Sequence, residues 1–313
     1  MVRVAIIGSG VIGLTVAHEL AGRHEVTVIA AGHHGSAVSS VAAAIWFPHD
    51  VSATARVLAS AEATYQRLVE LSADPSTGVR LRTGTVLSRR PDPDLSWTSA
   101  VPGVRPDLEV PEGATGIRCL MPLAVTDVYL NWLRSRVEAR GVRFETRDVS
   151  RLDEVTGYDV IVVAAGLGSA ALLGGDDELF PIRGQVVRVA NPGLTDWILD
   201  DDNPAGLTYV VPRDGDVVCG GTDEPRSWDE TVHPDVEESI LKRVIELVPA
   251  LAGQPVLSRA AGLRPARSTV RLELVAGHPQ PVVACYGHGG AGFTLSWGEA
   301  ADVARLIDGM SAD

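Results

Sequence analysis

A glycine-rich turn near the start of the chain is the clearest candidate for chemistry. Gly8, Ser9, Gly10, Val11, Ile12 and Gly13 form a GxGxxG pattern between an apolar run at 3–7 and a run with helical spacing at 14–22. A helix that begins at such a turn presents backbone N–H groups and the positive end of its dipole, which suits a pyrophosphate. With the branched run at 25–30 as a second strand, the pattern predicts a nucleotide-binding βαβ unit. A purely structural glycine turn is the alternative.

Other reactive patterns are missing from the sequence. The eight histidines form no HxxxH motif, and Cys119, Cys219 and Cys285 are too widely spaced for a paired-cysteine metal site or a disulfide framework. The GxSxG motif of hydrolases does not occur. We therefore expect no metal site, and free thiols that suit a reducing, cytoplasmic location.

The charge balance limits the partners. The 313 residues carry a net charge of −13, which opposes binding to nucleic acid and to anionic bilayers. No apolar run is long enough to span a membrane, and the apolar start lacks the basic region of a signal peptide. These features favour an enzyme that acts on a small molecule.

The element pattern predicts an α/β fold with two parts. Helices are expected at 55–73, 128–141, 236–251 and 294–307, strands at 158–166, 185–189, 207–212, 216–221 and 281–287, and irregular structure at 89–116. The change from βαβ spacing to closely spaced strands predicts a Rossmann-like nucleotide-binding domain with an inserted antiparallel-sheet substrate domain. We assign 1–48, 119–180 and 260–313 to the first, and 49–118 and 181–259 to the second.

Five segments, in this order along the chain, resemble motifs of the FAD-dependent D-amino acid oxidase family, as seen in its bacterial-type members. They are the hydroxyl-rich stretch from Ser36 to Pro48, the run Tyr209-Val-Val-Pro212, the run Gly262-Leu-Arg264-Pro-Ala-Arg267, the run Arg271-Leu-Glu273, and the run from Tyr286 to Thr294 followed by Trp297-Gly298. Taken alone, the first could be a helix N-cap followed by core alanines. Together with the N-terminal turn, the motifs span nearly the whole chain.

The resemblance implies a substrate site. Tyr209 and Arg264 match positions that hold the substrate carboxylate, and Gly290 matches a backbone carbonyl that accepts from the substrate amine. The planar fork of arginine pairs with a carboxylate through two hydrogen bonds, and a phenol adds a neutral donor. A core tyrosine and an arginine paired with a nearby acid are the alternatives.

The resemblance also implies a noncovalent FAD. Its phosphates would lie on residues 8–13 and its flavin between the 38–45 segment and the glycine loop that opens the last helix, whose dipole would stabilise reduced flavin. The further expected contacts are Val38, Ser39, Ala43, Ala44, Ile45, Val149, Ala165, Gly166, Arg271, Gly289, Gly290, Gly292, Phe293 and Thr294. His288 is expected to be structural.

The implied reaction is oxidative deamination. The α-hydrogen of a free D-amino acid leaves as hydride to flavin N5, so orientation does most of the catalysis and no side-chain base is required. The imino acid hydrolyses to a 2-oxo acid and ammonia, and oxygen is reduced to hydrogen peroxide. Glycine or sarcosine oxidase, D-aspartate oxidase, a dehydrogenase and a flavin-binding protein without turnover are the alternatives. Relatives are often homodimers, although no periodic apolar face identifies an interface here.

Five positions depart from the family pattern. Ala30 and Ala31 stand where an acidic residue usually holds the adenosine ribose, and Phe47 replaces an amide found in some relatives. Ala205 replaces a lid tyrosine, which predicts a short or absent lid. Asp223 stands where D-aspartate-specific relatives have a basic residue, so we expect neutral or basic D-amino acids to be preferred over D-aspartate. An acidic surface turn is the alternative for Asp223.

Overall fold

A mixed β-sheet forms the centre of the molecule. The computed structural model describes residues 1–32, 38–49 and 51–310, so Ser36 and Ala37 of the hydroxyl-rich stretch lie outside the described residues. Within those ranges the strands are β1 (Arg3–Ile7), β2 (Glu25–Ala30), β3 (Val79–Ser88), β4 (Arg105–Asp107), β5 (Thr115–Ala124), β6 (Arg143–Thr146), β7 (Val160–Val163), β8 (Phe180–Ala190), β9 (Trp197–Asp200), β10 (Thr208–Pro212), β11 (Asp216–Gly220), β12 (Glu224–Pro225), β13 (Val256–Val275) and β14 (Val282–His288).

Helices cover the sheet. They are α1 (Val11–Leu20), α2 (Ala55–Leu71), α3 (Thr126–Ala139), α4 (Ser169–Leu172), α5 (Pro234–Leu247) and α6 (Gly292–Met310). The four helices predicted from periodicity are present, with bounds shifted by a few residues. Within the described ranges, no helix is both long and apolar enough to cross a bilayer.

One end of the sheet is parallel and contains the predicted nucleotide-binding unit. The order β14-β7-β1-β2-β6 is parallel throughout, with α1 as the crossover between β1 and β2. Strands β7 and β14 are buried along their whole length, as expected where helices or loops cover both faces. All five strands end at the same edge, where ligands bind in open α/β sheets.

The other end is mainly antiparallel, in the order β4-β5-β3-β9-β10-β11-β8-β13, with β3 and β9 parallel. The α/β class with an added antiparallel region is therefore confirmed. Helix α5 covers β8, β10 and β11, and buries Ile240 and Val244 against Val187 and Val210.

The twenty-residue strand β13 joins the two ends, and the sequence did not predict it. It pairs with β8 over most of its length and with β14 at its far end. Gly262 and Pro265 argue against a central strand, because glycine weakens strands and proline lacks the N–H that a ladder requires. The structure accommodates Pro265 opposite Pro181 of β8.

Helices α2 and α6 pack closely because Gly298 has no side chain. A Cβ built at Gly298 would overlap the backbone of Ser60 in α2. Beside it, the Thr64 hydroxyl accepts hydrogen bonds from the backbone N–H groups of Trp297 and Gly298, at 3.1 and 3.0 Å. This contact holds the last helix, and hence the glycine loop before it, against the rest of the molecule.

The Gly298→Ala variant tests this contact. We expect it to lower the free energy of unfolding by roughly 1–3 kcal/mol, because the helices must move apart to admit the methyl group. Gly309→Ala lies in the same helix with nothing within 4 Å, and should be neutral or slightly stabilising. Urea denaturation of both variants measures the difference, and equal stabilities would contradict the close packing.

Candidate active site

A cavity of about 630 Å³ lies at the carboxyl ends of the parallel strands. Each of the five strands contributes the residues that follow it. These are 8–12 after β1, 30–32 after β2, 147–149 after β6, 164–168 after β7 and 288–290 at the end of β14. The remaining wall comes from residues 38–49 and from the antiparallel strands β8, β10 and β13.

The turn after β1 is shaped for a diphosphate. Gly8 has a φ of 114°, and a Cβ there would overlap the Ala164 carbonyl. The N-cap of α1 is Gly10, which has no side chain, so the helix end stays open to an anion. Gly13 lies behind the cavity wall, where a Cβ would overlap the Gly8 carbonyl.

The predicted flavin wall is anchored on both sides. Val38, Ser39, Ala43, Ala44 and Ile45 all line the cavity. The Ser39 hydroxyl accepts a hydrogen bond from the backbone N–H of Val11 at 3.1 Å, which links the wall to the start of α1.

Thr294 supports this wall from behind and does not itself line the cavity. Its hydroxyl donates to the Phe47 carbonyl at 2.8 Å and accepts from the Phe47 N–H at 3.1 Å. Trp46 beside it is fully buried and donates through Nε1 to the Ala61 carbonyl at 2.9 Å. The first turn of α6 is thus fixed against the wall that contains Phe47.

Tyr209 and Arg264 meet at the antiparallel side of the cavity. Arg264 lies near enough to the Tyr209 phenol to lower its pKa, and it donates through Nη1 to the Thr222 carbonyl at 3.1 Å. Burial raises the pKa of Tyr209, so the phenol stays a neutral donor at neutral pH. Both side chains line the cavity, and together they present donors that suit a carboxylate.

Three glycines make room for this pair. A Cβ at Gly184 would overlap the Arg264 guanidinium, and a Cβ at Gly220 would overlap the Tyr209 ring. At Gly221 a Cβ would lie 3.0 Å from the Tyr209 hydroxyl. The glycines of β8 and β11 therefore determine where the two polar side chains can lie.

Arg271 lies outside the cavity, in contrast to the direct cofactor contact that we predicted for it. Its Nη1 donates to the hydroxyl of Tyr286 at 2.7 Å, and that hydroxyl donates to Asp176 Oδ2 at 2.7 Å. Arg267 Nε lies 3.0 Å from the same carboxylate oxygen. Tyr286 does line the cavity, and Arg271 contacts its hydroxyl from outside the cavity.

The glycine loop before α6 lines the cavity through Gly289, Gly290, Gly292 and Phe293. Val149, Ala165 and Gly166, which follow β6 and β7, line its opposite side. Gly290 packs against His49, since a Cβ there would lie 2.8 Å from His49 Cδ2.

His288 lies at the base of this loop and is neutral. Burial and the nearby charge of Arg56 lower the pKa of His288 to about 3. Its ring is therefore too weak a base to take up a second proton near neutral pH, which agrees with a structural role.

The fold also brings together three potential ligand atoms that the sequence spacing did not reveal. Ligand atoms of Cys285, His288 and Glu299 lie within 4.8 Å of one another, all buried. The Glu299 carboxylate forms an ion pair with Arg56 at 2.6 Å. Glu299 is buried, whereas the Arg56 side chain is partly exposed.

Several charged residues of the cavity were missed by the sequence analysis. Arg147 and Asp148 follow β6 and lie beside Ala31, whereas Asp201 and Glu230 line the substrate side. Asp148 could have been found from the sequence, because charged residues just after a parallel strand lie at the edge of the sheet where ligands bind. Glu230 lies in a connecting segment whose position only the fold defines.

Residues 3–306 match the family described as FAD dependent oxidoreductase. The chain belongs to this family. It is 45% identical to a D-amino-acid oxidase of Rubrobacter xylanophilus, over 97% of this chain and 95% of that protein. It is 37% identical to a D-amino-acid oxidase of Streptomyces coelicolor, over 97% and 96% of the two chains. Among solved structures it resembles glycine oxidase from Bacillus cereus, with a TM-score of 0.79 and 24% identity over 99% of this chain and 96% of that one.

The cavity fits the cofactor of the family. The bare helix N-terminus at Gly10 suits the diphosphate, and the small residues at 42–44 leave room for a flat ring system. Gly292 and Phe293, at the start of α6, line the wall opposite residues 42–44, and the dipole of this helix favours negative charge there. FAD is thus the cofactor expected at this site.

The neutral His288 predicts a pH effect on stability. The folded state resists protonation down to about pH 3, whereas the unfolded chain takes up the proton below about 6.5. His288 therefore contributes stability that is present above pH 6.5 and is lost as the pH falls toward 3. Replacing it with Gln should reduce the loss of unfolding free energy between pH 7 and 5 by on the order of 1–2 kcal/mol.

Urea titrations at the two pH values measure that loss. His278→Gln makes the same chemical change at a partly exposed position and is the control. The same pH slope in the His288 variant and the wild type would rule out a buried neutral imidazole.

Proposed function

We propose that this chain is a D-amino acid oxidase. It would use noncovalently bound FAD to convert free D-amino acids to 2-oxo acids and ammonia, and would pass the electrons to oxygen to form hydrogen peroxide. The observation that carries this proposal is the Arg264–Tyr209 pair inside the cavity of an FAD-dependent oxidoreductase. The 45% identity to a D-amino-acid oxidase over nearly the whole chain supports it.

The chain's own residues orient the substrate. Arg264 and Tyr209 hold the carboxylate, and the Gly290 carbonyl accepts from the neutral amine. FAD, when bound, accepts the hydride from the α-carbon. The apolar side chains of Ile45, Phe47 and Leu207 line the cavity and limit the access of water to the reacting centre.

Anaerobic reduction of the flavin tests the proposal. D-alanine, D-methionine, D-arginine, D-aspartate and glycine are added separately to the purified yellow protein, and the absorbance of oxidised flavin is followed. Fast bleaching by a D-isomer and none by its L-partner is the expected result. Bleaching by glycine alone would make the chain a glycine-type oxidase, and negligible peroxide in air would make it a dehydrogenase.

Arg264→Lys and Tyr209→Phe should weaken substrate binding to different extents. Lysine cannot form the paired hydrogen bonds of a guanidinium, so kcat/KM should fall by roughly a hundredfold. Loss of one neutral donor at Tyr209 should cost about tenfold. Steady-state kinetics with D-alanine measure both effects.

Arg259→Lys is the matched control for the Arg264 variant. Arg259 lies on the same strand but is exposed and pairs with Glu237. Its substitution should leave kcat/KM within about twofold of the wild type. A similar loss in both arginine variants would argue against a specific carboxylate site at Arg264.

Asp223 supports a preference against acidic substrates. Its carboxylate lies 3.4 Å from Arg264 Nη1, beside the proposed carboxylate site. A second carboxylate on the substrate would meet this negative charge, which costs about 1 kcal/mol or more at such distances. We propose that neutral and basic D-amino acids are used in preference to D-aspartate.

Asp223→Asn tests that preference. The ratio of kcat/KM for D-aspartate to that for D-alanine should rise severalfold, because the repulsion is removed. Asp92→Asn, an exposed position outside the cavity, should leave the ratio unchanged. An unchanged ratio in the Asp223 variant would contradict the role of this carboxylate.

The division of the chain into two domains and the formation of a homodimer stay predictions. The continuous pairing of β13 with β8 and β14 means that a domain boundary at residue 260 would fall within a strand. Analytical ultracentrifugation of the purified protein would determine the oligomeric state.

A further inference from the structure

Three consecutive acidic residues lie at the end of β9: Asp200 is its last residue, and Asp201 and Asp202 follow it. Their surroundings differ. Asp200 is fully buried and forms an ion pair with Arg89. Asp202 accepts hydrogen bonds from the backbone N–H of Arg89 and from the Ser88 hydroxyl, both at 2.8 Å. These two carboxylates hold the end of β9 against the segment after β3. Asp201 has no such role.

The Asp201 side chain lines the cavity. Among the residues that the structure describes, no ion pair or hydrogen bond to another residue holds its carboxylate. Burial raises the pKa of Asp201, with His49 and Arg90 partly offsetting this effect. A half-buried carboxylate without a paired cation is unfavourable, and a cationic ligand group would relieve that cost.

Asp201 and the carboxylate-binding pair contribute to different parts of the wall. Strands β9 and β10 pair with Tyr209 opposite Leu199 and Thr208 opposite Asp200, which places Asp201 two residues further along the wall than the position opposite Tyr209. His49, which packs on Gly290, lowers the pKa of Asp201. A bound amino acid would have its carboxylate on Arg264 and its amine at Gly290. Its side chain is the group that is left to contact Asp201.

A second acid extends this negative wall toward solvent. Glu230 also lines the cavity and is exposed. Arg264 contributes a positive charge to this part of the wall, but the Asp223 carboxylate already lies beside it and offsets that charge. The side-chain end of the cavity therefore has a negative field, which attracts cations and disfavours anions.

We propose that Asp201 binds the terminal cation of a basic D-amino acid, of the D-arginine or D-lysine class, with Glu230 at the mouth of the cavity. This inference rests on the proposed oxidase function and makes Asp201 the residue that determines side-chain specificity. It assigns to Asp201 a contact that neither Arg264 nor Tyr209 can make, since both are committed to the substrate carboxylate.

The test compares D-arginine with D-citrulline, which has nearly the same shape but no charge. In the wild type, kcat/KM should be higher for D-arginine. In Asp201→Asn the ratio of D-arginine to D-citrulline should fall by about tenfold or more, because a charge-assisted hydrogen bond is lost. The loss should appear mainly in KM for D-arginine.

Two further variants control for folding and for net charge. Asp201→Glu keeps the carboxylate and should retain a preference for D-arginine. Asp92→Asn makes the same chemical change at an exposed position away from the cavity and should keep the wild-type ratio. FAD content should match the wild type in all variants, which shows that they fold, and turnover of D-alanine by Asp92→Asn should stay within about twofold of the wild type.

The outcomes separate this inference from the proposed function. If no D-amino acid reduces the flavin of the wild type, the oxidase function itself is wrong. If D-alanine and D-citrulline are oxidised normally but the D-arginine to D-citrulline ratio is the same in the wild type and in Asp201→Asn, only the role of Asp201 is overturned.

Discussion

The double pairing of β13 is the constraint on which the site depends. One part of this strand pairs with β8 and places Arg264 opposite Ile182, and its far part pairs with β14 and places Arg271 opposite Tyr286. The register shifts between Ala266 and Arg271, which bends the strand at the junction. Arg264, which we propose binds the substrate carboxylate, and the glycine loop before α6 are therefore held at a fixed separation by one continuous backbone.

Close backbone contacts at glycine produce the cavity. Gly8 and Gly13 bring the first strand and helix into contact without side chains between them, and Gly184 and Gly220 leave space for a guanidinium and a phenol. Gly262 of β13 packs against Val38, where a Cβ would lie 2.9 Å from Val38 Cγ2. A cavity of this size in a well-packed protein requires such positions, because interiors otherwise close to the density of organic crystals.

The charges and dipoles around the cavity differ from one region to another, so each region favours a different chemical group. The N-terminus of α1 favours the phosphates, Arg264 and Tyr209 favour a carboxylate, and Asp201 with Glu230 favour a cation. The neutral His288 and the ion pair of Glu299 with Arg56 keep the base of the glycine loop without a free charge. A substrate with a carboxylate at one end and a positive group at the other matches this order.

The sequence by itself determined the local features. The GxGxxG turn, the periodicity of α1, α2, α3 and α5, and the order of the motifs were enough to predict the nucleotide-binding unit, the cofactor and the family, because each depends on residues close together in the chain. The resemblance to the family motifs also identified Tyr209 and Arg264 as the residues expected to bind the substrate carboxylate. The placement of Gly8, Val38 and Gly290 around one cavity agrees with that prediction.

Only the tertiary structure decided which distant residues share a surface. Strand β13 escaped prediction because its glycine and proline weaken the strand pattern, and its main partner, β8, lies far from it in sequence. The positions of Arg271 behind Tyr286, of Thr294 behind Phe47, and of Asp201 within the cavity depend on sheet register and on packing between segments. Long-range pairing sets these contacts, and no local pattern of residue types encodes it.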